Sequence, residues 1–161
     1  MLPDHIEIPA AWFGGDLVNK SDVWHYTLLD EEIDELITAA YKFCASGEEL
    51  GKITPENFVL GKFSLKLCEL QEELRTGIGF KLISGLPVND LSPEQYSTVF
   101  CGLGSHLGKA RSQNSAGHLL GHVRDTGASV KDPSVRIYQT SARQTFHTDR
   151  SDVVGLLCIR E

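Results

Sequence analysis

His147 and Asp149 are the residues of this 161-residue chain best placed to do chemistry. They stand two apart in Phe146-His147-Thr148-Asp149, and side chains two apart on an extended segment share one face. An imidazole nitrogen and a carboxylate oxygen on one face can converge on a single cation. They supply two of the three donors in the two-His-one-carboxylate set that holds non-haem Fe(II) and leaves coordination positions open. The same spacing arises by chance as well, and the plain alternative is a surface His beside a cap or turn. The run Val153-Val154-Gly155-Leu156-Leu157-Cys158-Ile159 follows at once and reads as a buried strand of a supporting sheet.

Other histidines do not complete a donor set by pattern. His106 lies near the end of a predicted helix, where an imidazolium suits the dipole. His118 and His122 are four apart, as a metal pair on a helix can be, but Gly117 and Gly121 beside them disfavour helix. His5 and His25 read as surface residues. Only 12 residues follow Asp149, none of them His, so a third ligand is not expected downstream within this chain. Cys44, Cys68, Cys101 and Cys158 form no C-x-x-C pair and read as buried free thiols of a reducing compartment. No P-loop, G-x-S-x-G or dinucleotide fingerprint is present.

The elements that must position the pair are legible in part. Asp30 reads as the N-cap of a helix running to about residue 44, with Ile33, Leu36, Ile37, Ala40, Tyr41 and Cys44 on its apolar stripe. A second helix is predicted from about residue 62 to 76, on Phe63, Leu67, Leu70 and Leu74, stopped by Gly77. Residues 79–87 read as a strand bounded by Gly and Pro. Ser92, Pro93 and Gln95 form a capped start to a third helix that carries Tyr96, Val99, Phe100, Leu103 and Leu107 and ends near Gly108. Residues 109–134 read as a long loop. Residues 135–140, 145–149 and 152–159 read as extended segments. Helices first and strands after point to an α+β fold, preceded by an irregular arm over residues 1–29.

Composition bounds the functions. A hydrophobic fraction of 41% with 23% charged residues suits a globular chain. No apolar stretch nears the roughly 18 residues of a membrane span, and the first residues lack the pattern of a secretory signal, so a cytoplasmic protein with no membrane partner is expected. A net charge of -7 argues against a nucleic-acid partner. The charge is uneven: residues 1–100 hold 17 acidic and 7 basic side chains, residues 101–161 hold 5 and 8. The basic excess shares a segment with His147 and Asp149, which favours a small anionic ligand there as much as it fits ordinary surface scatter.

Phe146-His147-Thr148-Asp149 with Asp152-Val153-Val154-Gly155-Leu156-Leu157-Cys158 resembles the first metal-ligand segment of the taurine dioxygenase family of Fe(II)/2-oxoglutarate oxygenases. Gly79-Phe80 through Gly85-Leu86-Pro87 is similar to that family's strand, and Ser92-Pro93-Glu94 to the helix start after it. Leu107-Gly108, Ser112-Gln113-Asn114, Gly117 and Val123-Arg124-Asp125 resemble a loop of its clavaminate-synthase-like subgroup. The resemblance runs from about residue 58 to 161, leaving residues 1–57 as an N-terminal arm and first helix. It implies a double-stranded β-helix, or jelly roll, entered by N-terminal helices and incomplete here. It implies Fe(II), with 2-oxoglutarate and O2 as cosubstrates, and hydroxylation of a small substrate, with anions among the candidates. His147 and Asp149 become two iron ligands. Gln113, Asn114, Tyr138 and Arg143 become candidates for the substrate or cosubstrate site, with a solvated Arg on a turn as the alternative for Arg143. The family's distal His and its 2-oxoglutarate-binding Arg have no counterpart here, and Arg160 is too near Asp149 to serve. The expectation is an N-terminal portion of a larger enzyme. The rival is a truncated, non-catalytic homologue that binds a partner, or a decayed gene product.

Overall fold

A computed structural model describes residues 6–114, 117–132 and 134–160. Two short helices, α1 (Gly14–Leu17) and α2 (Ser21–Trp24), lead into strand β1 (His25–Thr27). Helix α3 (Asp30–Ser46), helix α4 (Phe63–Thr76), strand β2 (Leu82–Ser84) and helix α5 (Pro93–Leu107) follow. The chain divides into two compact units, Met1–Ala110 with Gly155–Glu161, and Arg111–Val154.

The helices of the first unit follow the predicted faces. Leu36, Ala39, Ala40 and Phe43 of α3 are buried, at the i, i+3, i+4, i+7 spacing of one stripe. Tyr41, expected on that stripe, is exposed. At 3.6 residues per turn it falls about 150° around the helix from the centre of that stripe, on the opposite face. Asp30 is not the cap: Leu29 is, and the Glu32 carboxylate accepts from its backbone N–H at 2.9 Å. The helix stops at Gly47, whose φ of 72° is left-handed and therefore suits glycine.

The start of α4 is capped from another helix. Glu35 of α3 accepts from the backbone N–H groups of Gly61 (2.9 Å), Lys62 (3.1 Å) and Phe63 (3.2 Å). These are donors that no residue of α4 itself can satisfy, and the carboxylate also meets the positive end of the helix dipole. The α5 start is as read from sequence: Ser92 Oγ accepts from Gln95 N–H at 3.3 Å, and Gln95 Oε1 accepts from Ser92 N–H at 2.8 Å.

The core joins Leu28, Leu36, Ala39, Ala40, Phe43, Phe58, Leu60, Phe63, Leu67, Leu70, Leu91 and Val99. α5 packs on both α3 and α4. Its Gly102 lies flat against the fully buried Phe58 ring, so close that an added Cβ would stand 2.5 Å from ring carbons. Strands β1 and β2 pair in parallel, with His25 opposite Leu82, Tyr26 opposite Ile83 and Thr27 opposite Ser84. Tyr26 and Ile83 pack against the core. His25 is not the isolated surface residue expected: its Nε2 lies 2.8 Å from Ser84 Oγ and its ring stacks on Trp24. His5 lies outside the described residues.

The sequence expectation fails most clearly over the later strands. Among the described residues the only sheet is this two-stranded one, and there is no jelly roll. The coarse α+β class stands, with helix dominant. The predicted strand over residues 79–87 shortens to Leu82–Ser84, and residues 137–139 of the segment predicted over 135–140 form a 3-10 turn, Ile137–Gln139. Residues 145–149 and 152–159 have no ladder partner. Strand character needs a neighbour to take the backbone N–H and C=O groups, and none of the described segments pairs with them. Val154 and Leu156 are accordingly exposed, Leu156 at 84%. Cys68 and Cys158, expected to be buried thiols, are exposed too. No helix among the described residues is long and apolar enough to cross a membrane.

Candidate metal centre

The candidate site lies in the second unit, on the irregular segment that follows the 3-10 turn Ile137–Gln139. Its conformation is set by local hydrogen bonds. Arg124 N–H donates to Tyr138 O (3.1 Å), and Thr126 donates to Gln139 O through both its N–H and its hydroxyl (2.9 Å each). Thr140 Oγ1 accepts from Ala142 N–H at 3.2 Å and so turns the chain just ahead of the site.

His147 Nδ1 lies 2.9 Å from the Thr145 carbonyl oxygen. A carbonyl only accepts, so Nδ1 carries the proton, and in the neutral ring Nε2 presents its lone pair. That lone pair faces two side chains. Asp149 Oδ1 is 3.9 Å away, and the Gln144 amide nitrogen is 3.2 Å away and donates to it. The side chains of His147 and Asp149 are about half exposed, at 49% and 53%. Arg143, Gln144, Thr145, Phe146 and His147 line an open cleft of about 430 Å³.

The donor set suits a divalent transition ion. Imidazole nitrogen and carboxylate oxygen are ligands that iron, cobalt and manganese accept together. Neighbouring donors on an octahedral ion with bonds of about 2.1 Å lie about 3 Å apart. Closing from 3.9 Å takes only a rotamer adjustment of two half-exposed side chains. Fixing Nδ1–H on a backbone carbonyl is also the way proteins orient a ligating imidazole. Among the described residues no group of three His, Cys, Asp or Glu side chains gathers around a common point.

Of the remaining candidates, the structure brings Arg143 alone to the cleft with His147. Among the described residues Arg143 makes no hydrogen bond or ion pair, so its guanidinium is available to an anion. Tyr138 is half-buried in the 3-10 turn, and its carbonyl is bound to Arg124. Gln113 and Asn114 belong to a separate turn. Gln113 N–H donates to His118 O (2.7 Å) and its side chain donates to Arg111 O (2.9 Å). Asn114 Oδ1 accepts from His118 N–H, and Asn114 Nδ2 lies 3.0 Å from His118 Nδ1. None of these three lines the cleft. His118 and His122 do not lie on a helix, and His106 Nε2 is held by Phe58 O at 2.9 Å. Sequence reasoning passed over Gln144. Its one signal is a polar amide three residues before His147, within reach of the ring.

No protein-family model matches the chain. Two curated proteins do resemble it along most of its length. FR-33289 synthase of Streptomyces rubellomurinus is 26% identical over 145 residues, 89% of this chain and 43% of that protein. A taurine hydroxylase-like protein of Stachybotrys chartarum is 27% identical over 157 residues, 93% of this chain and 40% of that protein. The resemblance to taurine dioxygenase-type enzymes is thus borne out as distant homology. The chain spans about two fifths of the length of the curated relatives it matches.

Proposed function

We propose that this chain is the N-terminal portion of an Fe(II)/2-oxoglutarate-dependent dioxygenase acting in the cytoplasm on a small anionic substrate. The observation that carries the reading is the approach of His147 Nε2 to Asp149 Oδ1 in a segment whose sequence aligns with a taurine hydroxylase-like protein. In this reading His147 and Asp149 hold the iron. Bound iron and 2-oxoglutarate supply oxidative decarboxylation to succinate and CO2, coupled to hydroxylation of the second substrate by O2.

The chain's own residues prepare that chemistry. Thr145 O fixes the proton on His147 Nδ1 and so leaves Nε2 as the ring's acceptor. Asp149 contributes negative charge beside it, which attracts a cation to the pair. Arg143 offers a planar pair of N–H donors to a carboxylate, sulfonate or phosphonate in the cleft. Residues 58–161 would then form the entry to the dioxygenase domain, and residues 1–57 its N-terminal arm and first helix. The exposed apolar side chains Val153, Val154, Leu156 and Ile159 would face further strands, giving the jelly roll its missing neighbours.

A second reading is a non-catalytic homologue, favoured by the lack of a third ligating side chain at the site among the described residues. The reading frame beyond codon 161 separates the two. A continuation with a distal His, and an Arg about a dozen residues after it, is the expected result. A stop codon directly after Glu161 in the native transcript would turn the account to the second reading, with no 2-oxoglutarate turnover.

A further inference from the structure

We propose that Gln144 is a latch on the metal-binding nitrogen of His147: its amide N–H occupies the Nε2 lone pair, and a metal ion must displace it to bind. The inference rests on the reading of His147 as a ligand. The geometry leaves little freedom. His147 Nδ1 is engaged with the Thr145 carbonyl at 2.9 Å, so Nε2 is the ring's one acceptor. Gln144 Nε2, 3.2 Å away, can only donate. One lone pair in the ring plane cannot serve an amide hydrogen and a metal ion together. The metal-binding state is therefore the state in which the Gln144 amide has turned away.

Two features make this a latch rather than a fixed brace. Gln144 and His147 are both exposed, so the amide swings out without disturbing packed residues. Both also line the same cleft, which gives the released side chain somewhere to go. Asp149, at 3.9 Å, lies beyond hydrogen-bond reach of Nε2 and does not block it. The amide is the group that competes.

The test compares the 161-residue chain with its Gln144→Leu and Gln144→Ala variants. Leu keeps most of the bulk, Ala removes it, and both delete the donor. Co(II) is titrated into each under reducing conditions and followed by calorimetry and visible absorption. Metal-free samples labelled with 15N report the His147 ring nitrogens directly. Both variants should bind Co(II) about two- to ten-fold more tightly, the factor by which one hydrogen bond shifts an equilibrium. Their His147 Nε2 resonance should move toward the value of a free imine nitrogen, with Nδ1 still protonated.

Equal affinity in all three chains overturns the latch and leaves His147 as a ligand. Weaker binding by both variants overturns it too, because Gln144 would then assist the metal. An unmoved Nε2 resonance removes the hydrogen bond on which the latch stands. Absence of Co(II) binding in every chain overturns the ligand reading itself, and the latch falls with it.

Discussion

Substituting His147 by alanine is expected to abolish metal binding by this chain. Removing a hydrogen-bond partner behind a metal ligand already lowers affinity about 10- to 100-fold. Deleting a proposed ligand outright removes more, so Co(II) or Fe(II) affinity should fall by at least about 100-fold. The fold should not change, because the His147 side chain is half exposed and its hydrogen bonds are local. Circular dichroism and thermal midpoint therefore serve as the control, and calorimetric titration as the readout. Asp149→Ala should behave alike. Metal affinity retained by His147→Ala would sink the site, whatever the resemblance of the surrounding sequence.

The largest expected effect on stability lies far from that site, at Gly102. Alanine there would place a methyl group 2.5 Å from three carbons of the Phe58 ring. Phe58 is fully buried in the core shared by α3, α4 and α5, so the ring has no open space to enter. Overpacking of this kind costs about 1–3 kcal/mol, which in a unit of this size lowers Tm by roughly 3–18 °C. Gly104, two residues on in the same helix, has nothing within 4 Å of an added Cβ. Gly104→Ala should instead stabilise by about 0.5–1 kcal/mol through helix propensity. Opposite signs from two glycines of one helix are the expected result of differential scanning calorimetry. An unchanged Tm for Gly102→Ala would mean that helix α5 does not sit on Phe58 as described.

What the sequence made legible was mostly local. The periodicity of Phe63, Leu67 and Leu70 and the Ser92–Gln95 capping box define α4 and α5 within a residue or two. Where a competing contact won, the prediction slipped: Glu32 reaching back to Leu29 displaced Asp30 from the cap position. The cap of α4 was invisible, because Glu35 lies more than twenty residues away in another helix. Strands were the least legible. Residues 152–159 have the composition of a strand, but a strand is defined by its partner, and composition does not name one.

The candidate site shows the same division. Two residues of spacing were enough to bring His147 and Asp149 within 3.9 Å, and four residues to set Arg143 in the same cleft. Gln113 and Asn114 carry side chains that could bind substrate, but the structure turns both to their own loop. An Asn side chain readily satisfies nearby backbone groups, as Asn114 does with His118 N–H. Gln144 carries no motif at all. Its role is visible only once the ring tautomer of His147 is fixed by Thr145.

Fe(II)-dependent formation of succinate from 2-oxoglutarate tests the central claim most directly. It is measured by mass spectrometry on the protein translated from its complete reading frame, supplied with Fe(II), ascorbate and O2. Succinate is expected from the wild-type protein, none without iron, and none from Asp149→Ala. A folded, iron-loaded wild-type protein that leaves 2-oxoglutarate unchanged, or an Asp149→Ala protein that still forms succinate, would contradict it.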